Sequence, residues 1–124
     1  MNQDLNSITE STIGCAYTVS NTLGHGFLEK VYENALAHEL SKKGLQTQKQ
    51  VPIKVTYEGI CVGDYQADIL VNGKILLEIK AQQNLSAAHM AQCMNYLKAT
   101  GLKICLLINF GKPRVEVKRV VLGL

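Results

Sequence analysis

Two amphipathic segments open the chain and indicate helices. In residues 4–22 the apolar side chains recur at helical spacing, and the Gly-His-Gly sequence at residues 24–26 interrupts the pattern. In residues 27–43 apolar side chains recur at i, i+3 and i+4, and Gly44 follows as a stop. We therefore predict two helices before the first strand.

The period of the pattern then changes from helical to alternating, which indicates strands. Residues 50–57 alternate between apolar and polar positions. Residues 65–71 and 74–80 are two further predicted strands, and the dipeptide Asn72-Gly73 between them favours a hairpin turn.

The last third of the chain predicts one helix and two strands. Ser86 is a candidate N-cap for a helix over residues 86–100. The continuous apolar run at residues 103–109 is typical of a strand covered on both faces, and residues 114–121 resemble an edge strand. The predicted order α-α-β-β-β-α-β-β is that of an α/β protein whose sheet is flanked by helices.

Composition narrows the class of protein. A chain of 124 residues with 47% hydrophobic residues can bury a core, and we expect a single domain over residues 1–124. No run of about 18 apolar residues is present, so we expect no membrane span. The polar segment Met1–Glu10 is unlike a secretory signal peptide, and we expect a soluble, cytoplasmic protein.

The distribution of charge and the spacing of the cysteines narrow the class of protein further. Residues 1–80 hold 7 Lys and Arg against 9 Asp and Glu, a balance of −2, whereas residues 81–124 hold 6 against 1, a balance of +5. The basic C-terminal third could face nucleic-acid phosphates, or it could be a solvated face that keeps the protein soluble. Neither the cysteines nor the histidines show zinc-ligand spacing, so we expect reduced, buried thiols at four positions: Cys15, Cys61, Cys93 and Cys105.

Three charged side chains fall inside predicted strands, where burial of a charge is costly unless the charge is paired or binds a metal. They are Asp68, Glu78 and Lys80. The strand period of two puts Glu78 and Lys80 on one face. Asp68 and Glu78 carry oxygen donors that suit Mg²⁺, and Lys80 could orient or deprotonate an attacking water. The alternative is electrostatic compensation of two carboxylates by one ammonium.

The metal hypothesis requires an irregular turn between the two strands. A two-residue turn at Asn72-Gly73 would set Asp68 opposite Leu77, on the wrong face from Glu78. A three-residue loop over residues 72–74 with a bulge would set Asp68 opposite Glu78. The hypothesis therefore predicts the longer loop.

Polar side chains on two predicted helices could join this group. Glu29, Tyr32 and Glu33 share a helix face by their spacing, and Gln92 and Tyr96 are an i, i+4 pair. Glu29 could add a carboxylate to the metal, and the pair could hydrogen-bond a phosphate or a water. The alternative is that both glutamates are solvated and that both tyrosines lie at the edge of the core.

Several segments resemble a known family. Residues 26–32 read GFLEKVY, which has the form G-x-x-E-x-x-Y and resembles the motif of the bacterial GxxExxY proteins, a family of the PD-(D/E)XK nuclease superfamily. The resemblance extends over residues 8–121. It continues in order through residues 50–53, 67–68, 77–81, 92–101 and 106–111.

The resemblance implies a restriction-endonuclease-like core with a central mixed sheet and a metal site. By position, Asp68 matches the motif aspartate, Glu78 and Lys80 match the E-x-K pair, and Glu29 matches an acidic residue on a helix. The backbone carbonyl of Ile79 would be a further metal ligand. These five positions are thus the predicted metal and catalytic residues.

The resemblance also implies a substrate and a cofactor. Gln92 and Tyr96 match the Q-x-x-x-Y motif of exonuclease-like branches. Gln66 stands where many relatives carry Arg, and the absence of that Arg weakens a phosphate or structural contact. The expected protein is a Mg²⁺- or Mn²⁺-dependent nuclease, with DNA favoured over RNA, that acts in repair or in defence against foreign DNA. Homodimers are common in the superfamily, although no residue of this chain demonstrates one. The alternative is a non-catalytic nucleic-acid-binding or protein-interaction module that retains the fold.

Overall fold

The computed structural model describes residues 4–124, so residues 1–3 of the predicted domain lie outside the described residues. The order α-α-β-β-β-α-β-β is confirmed. The elements are α1 (Leu5–Leu23), α2 (Glu29–Lys42), β1 (Thr47–Tyr57), β2 (Ile60–Val71), β3 (Ile75–Lys80), α3 (Ala87–Thr100), β4 (Ile104–Asn109) and β5 (Glu116–Val121). Among the described residues, no helix is long and apolar enough to cross a membrane.

The five strands form one mixed sheet in the order β1-β2-β3-β4-β5. All neighbours are antiparallel except β3 and β4, which are parallel because α3 makes the crossover between them. Every residue of β4 is buried, as expected for a strand covered on both faces, and β5 is an edge strand as predicted.

Two apolar cores lie on opposite faces of the sheet. The first core packs α1 and α2 against the sheet and takes Ile75, Leu77 and Ile79 of β3. The second core lies under α3 and takes Leu76 of β3. Since side chains alternate along a strand, Glu78 shares the α3 face with Leu76.

Helix α3 begins where the sequence predicts. Ser86 is its N-cap, with the Ser86 hydroxyl accepting from the His89 backbone N–H at 3.3 Å. His89 Nδ1 in turn accepts from the Ser86 N–H at 3.1 Å, which completes a capping box. Gly101 ends the helix with φ +77°, a left-handed conformation that glycine adopts without strain.

Strand β2 begins at Ile60, five residues before the predicted start at residue 65. β2 and β3 pair only from Ile69 to Val71, whereas β1 and β2 pair along their whole length to Tyr57 and Ile60. We call the part beyond β3, residues 53–65, the hairpin arm. It closes through Glu58 and Gly59, both with positive φ, as a two-residue hairpin turn requires.

The prediction of four buried thiols is wrong at one position. Cys15, Cys93 and Cys105 are buried and free, whereas Cys61 is exposed. Cys61 lies on the hairpin arm, and the apolar residues around it in the sequence are themselves exposed there. Its neighbours in the sequence therefore gave a misleading indication of burial.

Candidate active site

The turn between β2 and β3 is the irregular one that the metal hypothesis requires. Val71 pairs with Ile75, so residues 72–74 form a three-residue loop, and the Lys74 N–H donates to the Val71 carbonyl at 2.9 Å. Continuing the register from this pair places Asp68 opposite Glu78. The two carboxylates are thus brought together as predicted.

Asp68 and Glu78 continue the ladder with side chains where the backbone pairing stops. The regular pairs end at Ile69 and Leu77. One residue further, the Asp68 N–H donates to Glu78 Oε2 at 2.9 Å, and the Ile79 N–H donates to Asp68 Oδ2 at 2.7 Å. Each carboxylate is therefore held by the backbone of the other strand.

The side-chain alternation of β2 is interrupted at Asp68. Ala67 packs in the second core, whereas Ile69 and Val71 pack in the first, although a regular strand would put all three on one face. Gln50 of β1 lies opposite Asp68, between the pairs Lys49–Ile69 and Val51–Ala67, and has φ +54°. The irregularity on both strands falls at the residue whose carboxylate bonds to β3.

Burial makes both carboxylates unusually hard to ionise, and repulsion from Asp68 adds to this effect at Glu78. Burial first, and the charge of Asp68 second, raise the pKa of Glu78 to about 8. Burial is also the main cause that raises the pKa of Asp68. A bound cation would relieve this repulsion, and carboxylate oxygens are the donors that a hard divalent cation takes.

The hydrogen bonds leave donor atoms for such a cation. Among the described residues, no hydrogen bond uses Oδ1 of Asp68 or Oε1 of Glu78. The donor set, its burial and its electrostatics therefore fit Mg²⁺ or Mn²⁺. Glu29 does not complete a side-chain cluster, since residues 4–124 contain no group of three or more His, Cys, Asp or Glu that could hold a metal ion.

Lys80 and Glu29 lie within electrostatic range of both carboxylates. The Lys80 ammonium lowers the pKa of Asp68 and of Glu78, and the Glu29 carboxylate raises both. Lys80 is half-buried at the end of β3, and Glu29 is exposed in the first turn of α2. The predicted Ile79 lies between Glu78 and Lys80, with its N–H bound to Asp68.

Helix α3 brings Tyr96 to the same place. Burial first, followed by the charges of Glu78 and Asp68, raises the pKa of Tyr96 to about 12. The ring packs in the second core and is 5% exposed. Gln92 lies one turn earlier on the same face of α3 and is half-buried.

Tyr32 fixes the start of α2, and with it Glu29. The alternative that this tyrosine lies at the edge of the core is wrong, because the ring is fully buried and stacks on Phe110 with centroids 4.7 Å apart. Its hydroxyl donates to the Gly24 carbonyl at 2.7 Å and accepts from the Phe27 N–H at 3.1 Å. Leu28 at the N-cap provides no side-chain cap, so these bonds order the loop instead.

We expect Tyr32→Phe to destabilise the protein by about 1–3 kcal/mol, because it leaves the Gly24 carbonyl and the Phe27 N–H without their partner while keeping the stacked ring. Urea unfolding measures the change. Tyr17→Phe, at an exposed position on α1, is the control and should stay within about 0.5 kcal/mol of wild type. Equal stability of the two variants would contradict the assigned role of the hydroxyl.

Glu33 is a site residue that sequence reasoning underrated, since it is buried rather than solvated. Its carboxylate accepts from Lys30 Nζ at 3.0 Å and from Gln50 Nε2 at 3.0 and 3.2 Å. Its charge also raises the pKa of Asp68. Glu33 therefore links α2 to Gln50, the residue of β1 with positive φ that lies opposite Asp68. The sequence signal for Glu33 as a site residue was its position on the same helix face as Glu29 and Tyr32.

Asn109 ties together the ends of β3 and β4. It is fully buried, and its Oδ1 accepts from the N–H groups of Gln82 and Gly111 at 2.9 and 3.0 Å. Its Nδ2 donates to the Gln82 carbonyl at 2.8 Å, and the Phe110 N–H donates to the Lys80 carbonyl at 2.8 Å. These bonds hold the backbone on which Lys80 sits.

We expect Gly111→Ala to destabilise the protein by about 1–3 kcal/mol, because a Cβ there would lie 2.3 Å from both the backbone N and O of Gln82. Thermal or urea unfolding measures the change. Gly14→Ala in α1 is the matched control: its Cβ meets no atom within 4 Å, and alanine should stabilise the helix by about 0.5–1 kcal/mol. A Gly111 variant as stable as wild type would show that the two loops are not in close contact.

Four of the six Lys and Arg residues of the C-terminal third lie near the ends of the strands, two at each end of the sheet. Lys112 and Arg114 are in the loop after β4, at the end of the sheet where β3 ends at Lys80. Lys112 Nζ lies 3.8 Å from Glu116 Oε1. Lys103 and Arg119 line a cavity of about 740 Å³ at the opposite end of the sheet, together with Lys74. These four cations therefore lie in two separate places rather than on one surface.

The fold resembles solved structures. The chain is similar to an alkaline exonuclease, LHK-Exo, from Laribacter hongkongensis, with a TM-score of 0.55, 15% identity, and coverage of 98% of this chain and 72% of that one. It is also similar to the crystal structure of SSO0001, with a TM-score of 0.55, 19% identity, and coverage of 96% of this chain and 59% of that one. At these identities the likeness shows a shared fold.

The sequence gives the family. No curated protein matches the chain significantly. A family model of the PD-(D/E)XK nuclease superfamily matches residues 6–120, which is nearly the whole chain. The predicted restriction-endonuclease-like α/β fold is confirmed, and the protein belongs to the PD-(D/E)XK nuclease superfamily.

Proposed function

We propose that the protein is a divalent-metal-dependent nuclease that hydrolyses phosphodiester bonds of DNA. The observation that carries this proposal is the pair of backbone bonds from the Asp68 N–H to Glu78 and from the Ile79 N–H to Asp68. These bonds hold two carboxylates with raised pKa values within electrostatic range of the Lys80 ammonium. Membership of the superfamily supports the reaction class.

The metal would be held by Asp68 and Glu78, with the Ile79 carbonyl as a backbone ligand. Bound Mg²⁺ or Mn²⁺ supplies Lewis-acid stabilisation of the charge that develops on the phosphate. The raised pKa of Glu78, about 8, fits this role, because such a carboxylate gains most from a positive neighbour.

The other side chains act on water and on the phosphate. Lys80 lies two residues after Glu78 in β3 and therefore on the same α3 face of the sheet. From this position its ammonium orients the attacking water and stabilises developing negative charge. Glu29, exposed at the start of α2, assists by hydrogen-bonding that water. Tyr96 keeps its proton at neutral pH, since its pKa is raised to about 12, and with Gln92 donates hydrogen bonds to the phosphate.

Finer assignments rest on the sequence motif. Residues 26–32 have the form G-x-x-E-x-x-Y, which supports the proposal that the protein is one of the bacterial GxxExxY proteins and acts in repair or in defence against foreign DNA. We further propose that it acts in the cytoplasm as a homodimer. Lys112 and Arg114, which lie at the same end of the sheet as the carboxylates, would contact the phosphates of the bound strand.

The test is a cleavage assay on end-labelled single-stranded, double-stranded and branched DNA and on RNA, in Mg²⁺, in Mn²⁺ and in EDTA. We expect DNA cleavage that needs the metal and falls as salt rises. Failure to cleave any substrate in either metal would overturn the proposal. Nucleic-acid binding that is equal with and without metal, with no cleavage, would support the non-catalytic binding module instead.

A further inference from the structure

An apolar stripe runs along one face of the hairpin arm. Three cross-strand pairs form it: Ile53 with Tyr65, Val55 with Gly63, and Tyr57 with Ile60. Cross-strand partners project from the same face, and the three β1 members are at period two. The register shifts between Val55 and Thr56, so β2 carries one extra residue between the second and third pairs. We call these six residues the arm stripe. It spans about 13 Å from Ile53 to Tyr57.

The arm stripe begins at the candidate active site. Ile53 is buried in the second core under α3. The Tyr65 ring contacts the Tyr96 ring, with centroids 5.8 Å apart and planes at 54°. Tyr96 lies within electrostatic range of Asp68 and Glu78. The stripe is therefore continuous with the surface proposed to hold the phosphate.

The outer part of the arm stripe is exposed, although it is aromatic and aliphatic. Tyr65 is 49% exposed, Ile60 65% and Tyr57 67%. Gly63 makes room for the first of these, because a Cβ there would lie only 3.3 Å from Cε2 of the Tyr65 ring. The ring therefore lies across the strand over Gly63, as part of a surface rather than as a free side chain.

The arm stripe carries no charged side chain. The charged pair of the arm, Lys54 and Asp64, is bonded at 2.9 Å and lies between two stripe pairs in the register, so it projects from the opposite face. An uncharged aromatic surface does not suit phosphates. It suits the faces of bases, and stacking on such a surface is worth about 1–3 kcal/mol per base.

We propose that the arm stripe binds unpaired bases of the strand whose phosphate lies at Asp68 and Glu78, so that the substrate is single-stranded nucleic acid or a duplex with an unpaired end. In a duplex the base faces are stacked and paired and do not reach such a surface. This inference rests on the proposed function, because it takes the position of the phosphate from it.

The test measures binding with fluorescein-labelled single-stranded 20-mer oligodeoxythymidine and with a blunt hairpin duplex, with Ca²⁺ in place of Mg²⁺. Tyr57→Ala and Tyr65→Ala are each expected to raise the Kd for the single strand on the order of 10-fold and to leave the duplex Kd unchanged. Tyr65→Phe keeps the ring and should bind as wild type. Tyr17→Ala, an exposed tyrosine on α1, is the control.

The outcomes separate this inference from the proposed function. Wild-type affinity for the single strand in both alanine variants, while Mg²⁺-dependent cleavage persists, would overturn the inference alone. Weaker single-strand binding in an inactive protein would overturn only the proposed function. If Tyr57→Ala instead turns a dimer into a monomer in sedimentation and leaves DNA binding intact, the stripe is a contact between copies of the chain and the inference is wrong. Tyr57 is mostly exposed, so its variant tests the inference even if Tyr65→Ala unfolds.

Discussion

Glu78→Gln is expected to abolish cleavage and, in the absence of divalent cations, to stabilise the protein at alkaline pH. The buried Glu78 carboxylate is a proposed metal ligand, so its neutral isostere should lower the rate by a factor on the order of 10² or more. Gln keeps an oxygen that can accept from the Asp68 N–H, so the fold should survive.

The stability change follows from the sign of the pKa shift. Glu78 ionises with a pKa of about 8 when folded, against 4.5 as the ordinary value. Between these pH values the folded state binds more protons than the unfolded state, so stability falls as pH rises from 4.5 to 8 and the loss is complete above 8. Gln does not ionise, and the variant should be more stable than wild type by about 1–3 kcal/mol at pH 8.5.

Urea unfolding in EDTA at pH 5 and at pH 8.5 measures this difference, which should be present at pH 8.5 and nearly absent at pH 5. Mg²⁺ should stabilise the wild type at pH 8.5 and the variant little. Glu10→Gln, at an exposed position on α1, is the control and should change stability by less than about 0.5 kcal/mol at either pH. The same pH dependence in wild type and Glu78→Gln would contradict a buried, destabilising carboxylate.

Lys80→Met is expected to remove cleavage while keeping the metal site. Met preserves much of the aliphatic stem but not the ammonium that we propose to orient water, so the rate should fall by a factor on the order of 10². Asp68 and Glu78 remain, so Mg²⁺ should still stabilise the variant. Because the Lys80 charge lowers the pKa of both carboxylates, its loss should make the metal-free protein less stable at pH 8.5, opposite in sign to Glu78→Gln.

Single-turnover cleavage and thermal unfolding with and without Mg²⁺ measure both effects. Lys54→Met is the matched control, since Lys54 is an exposed lysine of the sheet whose partner is Asp64 rather than a site carboxylate. A Lys80 variant that cleaves at the wild-type rate would remove this residue from the proposed mechanism.

Much of the fold could be predicted because its elements carry strong local patterns. Each helix buries one apolar face, and β4 buries both of its faces. The spacing of apolar residues in the sequence indicates these faces. The hairpin arm was partly missed because Gly63 interrupts the strand pattern and Glu58 is not a typical residue for a turn with positive φ. Cross-strand pairing stabilises this segment without a covering layer, and a single sequence does not show such pairing.

The candidate site was predicted from charges placed where apolar residues were expected. Asp68, Glu78 and Lys80 stood out because burial makes such charges costly. Glu33 and Asn109 did not, because their importance depends on contacts with segments distant in sequence: Gln50 for the first and Gln82 for the second. Such contacts depend on tertiary packing, which the local pattern does not specify.

The most direct measurement of the central claim is a time course of DNA cleavage in Mg²⁺ by wild type and by Glu78→Gln, purified identically and both shown to be folded. We predict cleavage by the wild type that EDTA stops, and a rate for the variant lower by a factor on the order of 10² or more. Equal cleavage by the two proteins would contradict the claim that Asp68 and Glu78 form the metal site of a nuclease.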